Sequence, residues 1–284
     1  MNERLCGCSF ISPGLTAAQG MALVQRLGFA HVDVGLGGAN ANFDPIRVAE
    51  NPSGYARQVR EDADRLKLTL NECFLLNFGW PINAPDVELR RRTGRLFSGL
   101  CQFASQAGFK SVMVIPGPVH PGCTQEESLS ISVDVLRGLV GIASDAQLRL
   151  NVEPDVDSCV HTPEMALRLC HEVNGIVLTL DYSHFVCQGI DQKRVDSLLS
   201  FVRHMHVRQA SVGRIVVDVD AGEIDYPLIL SKLERVGYPG LFCVEYLALD
   251  DSPKATREAE RRTGDMIGQL NQYFSEQAHA ELSR

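Results

Sequence analysis

The segment Ile176-Val-Leu-Thr-Leu-Asp181 is an apolar run that ends in a carboxylate. Three other apolar runs in the second half of the chain also end in an acid or an imidazole, and they close with Glu153, His206 and Glu245. A polar group at the end of a buried strand is costly unless another group pairs with it. Because a helix-length interval separates each run from the next, we expect the four side chains to converge on one ion. Three carboxylates and an imidazole suit a divalent cation such as Mn²⁺, Mg²⁺, Co²⁺ or Zn²⁺.

Apolar runs alternate with helix-length segments along the whole chain, and there are eight such runs. The first four cover residues 5–10, 31–36, 68–76 and 111–115, and the others lead to the four polar residues above. Short, nearly continuous apolar runs that are each followed by a helix are typical of buried parallel strands. The count of eight predicts an α/β fold, a closed (β/α)₈ barrel formed by residues 1–284 as a single domain. An open doubly wound sheet remains the alternative, because the sequence alone does not show closure.

Helix boundaries are marked by capping residues. Thr16-Ala-Ala-Gln19 has the spacing of a capping box, and Thr162-Pro163 combines a hydroxyl cap with proline at the first helical position. A charged final helix is predicted over residues 253–278. Two long loops, residues 37–53 and 77–85, are predicted to lie over the C-terminal mouth of the barrel, where active sites of this architecture are found.

Composition and charge exclude several classes of protein. The chain has 284 residues and a net charge of −8, whereas nucleic-acid-binding surfaces are usually basic. No apolar segment is long enough to span a membrane, and the N-terminus lacks the pattern of a signal peptide. The nine cysteines are interpreted as reduced thiols of a cytoplasmic protein. Cys6 and Cys8 form a C-x-C pair without a second pair at the spacing of a zinc finger.

Each of the four polar residues also has an explanation that needs no ion. The alternatives are that Glu153 caps a loop before Pro154, that Asp181 forms an Asx turn, that His206 or His204 is a hydrogen-bonded core histidine, and that Glu245 pairs with Arg208 or Arg214.

Several stretches together resemble the xylose isomerase-like barrels, in the branch of sugar-phosphate isomerases and epimerases that includes ketose 3-epimerases and hydroxypyruvate isomerase. They are Asn151-Val-Glu153-Pro, Thr162-Pro-Glu-Met-Ala-Leu, Leu180-Asp181-Tyr-Ser-His184-Phe, His204-Met-His206-Val, Gly222-Glu-Ile-Asp-Tyr226 and Gly237-Tyr-Pro-Gly240-Leu-Phe-Cys-Val-Glu245. The resemblance covers most of the chain. It implies that Glu153, Asp181, His206 and Glu245 hold the metal and that His184 touches the substrate.

The chain departs from this family where Val207-Arg208-Gln209 follows the metal-binding histidine. Many relatives carry an acid at this point, whereas the guanidinium of Arg208 would suit an anionic substrate group. Further candidates for substrate binding come from strand ends and loops at the predicted mouth: Glu72, Trp80, His120 and Arg214.

The resemblance implies a metal-dependent isomerase or epimerase of a small polyhydroxy ketone or aldehyde, acting through an enediolate, with Glu153 and Glu245 as the acid–base pair. A dehydratase resembling the dehydroshikimate dehydratases is the second hypothesis, because the same intermediate can expel a β-hydroxyl group. An endonuclease IV-like repair enzyme and a non-catalytic barrel that retains its metal are further alternatives. The resemblance also implies a homo-oligomer, either a dimer or a tetramer.

Overall fold

Eight parallel strands close into a barrel in the computed structural model, which describes residues 3–38 and 40–282, with side chains as far as residue 277. Each strand pairs with the next along the chain, and the eighth pairs with the first. The strands are β1 (Leu5–Cys8), β2 (His31–Leu36), β3 (Thr69–Leu75), β4 (Ser111–Val114), β5 (Arg149–Val152), β6 (Val177–Asp181), β7 (Val202–Val207) and β8 (Phe242–Val244). The predicted (β/α)₈ barrel is therefore confirmed over the open sheet.

Helices fill the connections between the strands. They are α1 (Ala17–Arg26), α2 (Pro45–Glu50), α3 (Pro52–Leu66), α4 (Val87–Ala107), α5 (Gln125–Asp145), α6 (Pro163–Glu172), α7 (Ser183–Val186), α8 (Gln192–Val195), α9 (Tyr226–Arg235) and α10 (Pro253–Leu282). Three 3₁₀ turns cover Asn77–Gly79, Asp196–Phe201 and Val219–Ala221. None of the described helices is long and apolar enough to cross a membrane.

Local capping chemistry accounts for several of these boundaries. Thr16 accepts a hydrogen bond from the Gln19 backbone, and the Gln19 side chain returns to the Thr16 backbone, so the predicted capping box is present. Gly108 ends α4 with a φ of 97°, a left-handed conformation that glycine adopts without a Cβ clash. Both signals depend on neighbouring residues only, and for that reason they are readable from sequence.

Two predicted boundaries are wrong. Residues 37–53 do not form one continuous loop, because α2 lies inside it and is capped by the Asp44 side chain, which accepts from the Ile46 N–H. The sequence also predicts a helix over residues 191–201, but this segment is not one regular helix, since the single turn of α8 gives way to a 3₁₀ helix over Asp196–Phe201. These helices have only four to six residues each, too few to produce a clear helical periodicity.

Candidate metal centre

The four polar residues predicted at strand ends lie together at the C-terminal rim of the barrel. Glu153 directly follows β5, Asp181 is the last residue of β6, His206 is next to last in β7, and Glu245 directly follows β8. Register pairs Asp181 with His206, so their side chains stand at the same level of the barrel. All four residues are buried, and none is more than 3% exposed.

His206 is at the centre of this group. Its Nδ1 lies 2.9 Å from Glu153 Oε1 and 3.5 Å from Glu245 Oε2. Glu153, His206 and Glu245 each place one potential ligand atom within 4.8 Å of those of the other two. Glu153, Asp181 and His184 form a second set that meets the same distance. Because Glu153 belongs to both sets, the five residues form one continuous cluster.

Burial and charge shift the ionisation of the cluster. Burial lowers the pKa of the His206 imidazole, but the carboxylates of Glu245 and Glu153 outweigh it and raise the pKa well above its ordinary value. Burial raises the pKa of the Glu245 carboxyl, although Arg208 and His206 oppose the shift. His206 and Glu245 therefore retain their protons more strongly than the same groups do in water.

Arg208 enters the cluster from the residue after β7. Its guanidinium places Nη2 at 2.8 Å from Asp181 Oδ2 and Nη1 at 3.2 Å from Glu245 Oε2. It also donates from Nε to Ser183 Oγ, at 3.0 Å, and lies 3.1 Å from His184 Nε2. The pairing of Glu245 with an arginine, which the sequence left open as an alternative, is therefore present in the fold.

Tyr226 holds the backbone of Arg208 in place. The Arg208 N–H donates to the Tyr226 hydroxyl, at 3.0 Å, and that hydroxyl donates to the Arg208 carbonyl, at 2.8 Å. Tyr226 is fully buried at the start of α9. The guanidinium thus projects from a fixed point, so its position among the carboxylates is set by the fold.

The donor set fits a divalent cation. Asp181 Oδ2 is buried and accepts no hydrogen bond, since its contact with Arg208 lacks hydrogen-bond geometry. The ionised carboxylates of Glu153, Asp181 and Glu245 carry three negative charges, and Arg208 neutralises one, which leaves the charge that a dication balances. Oxygen donors with one imidazole nitrogen are accepted by Mn²⁺, Mg²⁺, Co²⁺ and Zn²⁺ alike, so the set does not select among them.

His184 lies beside the acid cluster on α7. Its Nδ1 faces the Val156 N–H at 3.2 Å and Asp155 Oδ2 at 3.5 Å, and its Nε2 lies 3.9 Å from Asp181 Oδ2. The residue is 5% exposed, so its imidazole is almost entirely enclosed by protein. Substrate contact by His184 remains a prediction that this position supports.

Glu72 does not lie at the end of its strand, and the sequence-based placement is wrong. It is in the middle of β3, fully buried, and accepts hydrogen bonds from Ser111 Oγ at 2.8 Å, Asn151 Nδ2 at 2.6 Å and Thr179 Oγ1 at 2.8 Å. Burial raises the pKa of its carboxyl. These three donors occupy the carboxyl group, so they compete with any substrate contact.

Trp80 and His120 line a separate cavity of about 610 Å³ beside α4. The wall also contains apolar side chains such as Leu96, and none of the four rim residues is among the described residues that line it. His120 Nε2 lies 2.9 Å from Asn83 Oδ1, which ties the loop after β4 to the loop after β3. The two residues therefore share one apolar surface near the mouth, and their contact with substrate remains a prediction.

Arg214 lies in a tight turn after β7. Its Nε donates to Ser211 Oγ, at 3.2 Å, and the two residues form an isolated bridge. In the described part of the chain, the ion pairs of Glu245 include Arg208 but not Arg214. An anion-binding role for Arg214 remains a prediction.

Sequence reasoning missed the contact of Phe74 with His206, and it missed one acid. The ring of Phe74 lies 5.1 Å from the His206 ring, and Phe10 stacks on Phe74 at 4.9 Å. Asp155 faces His184, and the segment Glu153-Pro-Asp155 contained that signal, because the second acid comes just two residues after the first. The aromatic contacts carried no such signal, since they join Phe10, two residues after β1, to residues of β3 and β7.

Comparison with known proteins agrees with this fold. A human protein named "Putative hydroxypyruvate isomerase" is 23% identical over 273 residues, which cover 86% of this chain and 90% of that protein. A structure of L-ribulose 3-epimerase superposes with a TM-score of 0.77 at 15% identity, covering 99% of this chain and 98% of that one. The structure of the IOLI protein, which has a bound zinc atom, superposes with a TM-score of 0.73 at 19% identity, covering 96% of this chain and 98% of that one.

A protein-family model matches residues 21–264. This span is most of the chain and includes every strand from β2 to β8. That span contains the acid–imidazole cluster, Arg208 and His184. The chain belongs to the xylose isomerase-like TIM barrel family.

Proposed function

We propose that the protein is a divalent-metal-dependent isomerase or epimerase of a small polyhydroxy ketone or aldehyde. One observation carries the proposal. Ligand atoms of Glu153, His206 and Glu245, three buried residues from different strand ends, lie within 4.8 Å of one another. The names of the similar proteins support the same class, since they include a hydroxypyruvate isomerase and ketose 3-epimerases. The zinc atom of the IOLI protein supports a metal.

Proton transfer is assigned to the two glutamates. Glu153 and Glu245 follow β5 and β8, which are separated by β6 and β7, so their carboxylates approach His206 from different directions. One carboxylate would take the proton from the carbon beside the carbonyl, and the other would return a proton, giving an enediolate between the two steps. A bound dication would supply Lewis-acid polarisation of the carbonyl group.

Arg208 bears on the substrate class. Its guanidinium contacts Asp181 and Glu245, so much of its charge is already balanced by the protein. The sequence argument for an anionic substrate is weaker for this reason. We therefore propose a neutral polyhydroxy ketone as the first substrate class to test, with phosphorylated analogues as the second.

Turnover in D₂O tests the proposal directly. The Mn²⁺-loaded protein is incubated with a panel of ketoses, and NMR follows deuterium entering the carbon beside the ketone. We expect deuterium in one compound together with formation of its epimer or isomer. Glu153→Gln should abolish exchange, whereas Glu223→Gln, an exposed carboxylate of the loop after β7, should retain it.

The same experiment separates the competing functions. A product with new ultraviolet absorbance from a conjugated double bond would identify a dehydratase, which is the second hypothesis from sequence. Absence of exchange in every compound, with the metal shown to be bound, would contradict the isomerase and favour a non-catalytic barrel.

A further inference from the structure

A second cluster of metal-binding residue types lies inside the barrel. Asp33 on β2, His204 and His206 on β7 and Cys243 on β8 each place one ligand atom within 4.8 Å of the others. Their side chains are at most 2% exposed. Register pairs His206 with Cys243, so the imidazole and the thiol project from neighbouring strands at one level. Of these four residues, only His206 belongs to the rim cluster described above.

His206 has one ring nitrogen for each cluster. Nδ1 faces Glu153 and Glu245 at the rim. The other nitrogen, Nε2, is buried and has no hydrogen-bond partner among the described residues. A buried polar atom without a partner is destabilising, so a fold that retains one usually has a reason for it. A cation below His206 would provide the missing partner.

Thiols surround the same point. Cys6 on β1 is the register partner of Cys243, and its Sγ lies 3.4 Å from Asp33 Oδ1. Zinc accepts carboxylate, imidazole and thiolate ligands together, at distances of about 2.0–2.3 Å. Atoms within 4.8 Å of one another can converge on such an ion with small side-chain movements. Magnesium and calcium, which prefer oxygen ligands, do not suit the set.

Hydrogen bonding within the protein accounts for Asp33 and His204 without a metal, but it does not account for His206. His204 Nε2 lies 2.6 Å from Asp33 Oδ2, and Asp33 Oδ1 accepts from Asn71 Nδ2 and the Glu72 N–H, so Asp33 and His204 are satisfied as a pair. That pairing leaves Nε2 of His206 without a partner. A cation would take the place of the proton between His204 and Asp33, and the Cys243 thiol would lose its proton to become a ligand.

We propose that Asp33, His204, His206 and Cys243 form a second site, for a zinc-class cation. His206 would then bridge it to the rim site as an imidazolate, with its remaining ring proton released to water so that Nδ1 and Nε2 each bind one cation. The two sites differ in one testable property. The rim cluster of Glu153, Asp181, His206 and Glu245 contains no sulfur, whereas the interior site contains a thiolate.

Cobalt titration of the full-length, chelator-stripped protein tests this assignment. Cobalt bound to a thiolate gives a near-ultraviolet charge-transfer band that oxygen and nitrogen ligands do not give. We expect the band, with two equivalents of cobalt per chain by elemental analysis. Cys243→Ser should abolish the band and remove one equivalent, whereas Cys170→Ser, a buried thiol on α6, should change neither.

Further variants separate this inference from the proposed function. Glu153→Gln should weaken the rim site and keep the band, so that loss of turnover and loss of the band are independent. A single equivalent without a band in the wild-type protein would overturn the second site. A band that persists in Cys243→Ser would overturn the ligand assignment. If Cys243→Ser fails to fold by circular dichroism, Cys243→Ala serves as a second thiol-free variant with the same expected loss.

Discussion

At the scale of single residues, Arg208 distinguishes this site from the pattern that the family resemblance predicts. It places a positive charge between Asp181 and Glu245, with only 7% of the residue exposed. Burial by itself raises the pKa of the Asp181 carboxyl, yet Arg208 and His184 hold that pKa below its ordinary value. The guanidinium therefore keeps Asp181 ionised, which is the form that binds a cation.

Replacing Arg208 should destabilise the protein, because it removes the positive charge that balances Asp181 and Glu245. Arg208→Gln leaves Asp181 and Glu245 buried without their partner, and breaking a buried ion pair costs roughly 3–5 kcal/mol. We expect a loss of that order in the free energy of urea unfolding in the presence of a chelator, with partial recovery on adding Mn²⁺. The matched control is Arg214→Gln, an exposed arginine of the same loop, which should change stability by less than about 0.5 kcal/mol. Equal losses in the two variants would contradict the assigned role of Arg208.

Cation binding should depend on pH through His206. The pKa of this imidazole is raised above its ordinary value, so a proton occupies the ring to a higher pH than in a free histidine. The proton competes with the cation, and affinity should therefore fall as pH falls, approaching about tenfold per pH unit below that pKa. Calorimetric titration with Mn²⁺ over neutral and mildly alkaline pH measures the slope. An affinity that does not change with pH would show that His206 is not a ligand.

At the scale of secondary-structure elements, caps and short connections position the rim. Thr162 caps the N-terminus of α6, and its hydroxyl accepts from the Met165 N–H at 3.3 Å. The loop before this helix carries Asp155, which faces His184. A well-defined start for α6 therefore limits the freedom of a loop that contacts the candidate site.

Removing this cap should destabilise the protein locally. Thr162→Ala leaves the Met165 N–H without its partner, and such substitutions typically cost about 1 kcal/mol. Thr162→Ser retains the hydroxyl and serves as the control. Urea midpoints of the three proteins measure the effect, and a Thr162→Ala midpoint equal to that of the serine variant would rule out the cap as a source of stability.

At the scale of the whole molecule, the barrel brings together three carboxylates whose mutual repulsion a bound cation would relieve. A ligand that binds only the folded state stabilises it by RT ln(1 + [L]/Kd), about 2.7 kcal/mol at a hundredfold excess over Kd. We expect Tm to rise with Mn²⁺, Co²⁺ or Zn²⁺ and to fall with EDTA. In the double variant Glu153→Gln/Glu245→Gln the rise with Mn²⁺ should be much smaller. A response to Mn²⁺ that equals the wild-type response would place the cation elsewhere.

Assembly is a second property of the whole molecule. The family resemblance implies a dimer or a tetramer, and this remains a prediction for the present chain. Sedimentation equilibrium at micromolar concentration measures it directly. A mass equal to that of one chain, 31.2 kDa, would contradict the expectation.

The sequence by itself determined the barrel and the rim quartet. Eight apolar runs and their caps are local patterns, and parallel strands bring their C-terminal ends to one rim. The sequence therefore predicts that Glu153, Asp181, His206 and Glu245 lie together. Glu72 was misplaced because an acid within an apolar run reads as a strand end, whereas in the fold Ser111, Asn151 and Thr179 satisfy it inside β3.

Only the tertiary structure decided which side chains the buried acids and histidines contact. The guanidinium of Arg208 lies against Asp181 and Glu245, and Asp33 on β2 meets His204 on β7, 171 residues along the chain. Strand register and inward-facing side chains across the closed barrel set such contacts, and no pattern of neighbouring residues encodes them. The physical reason is closure, because β1 pairs with β8 and so brings the two ends of the chain around one common interior.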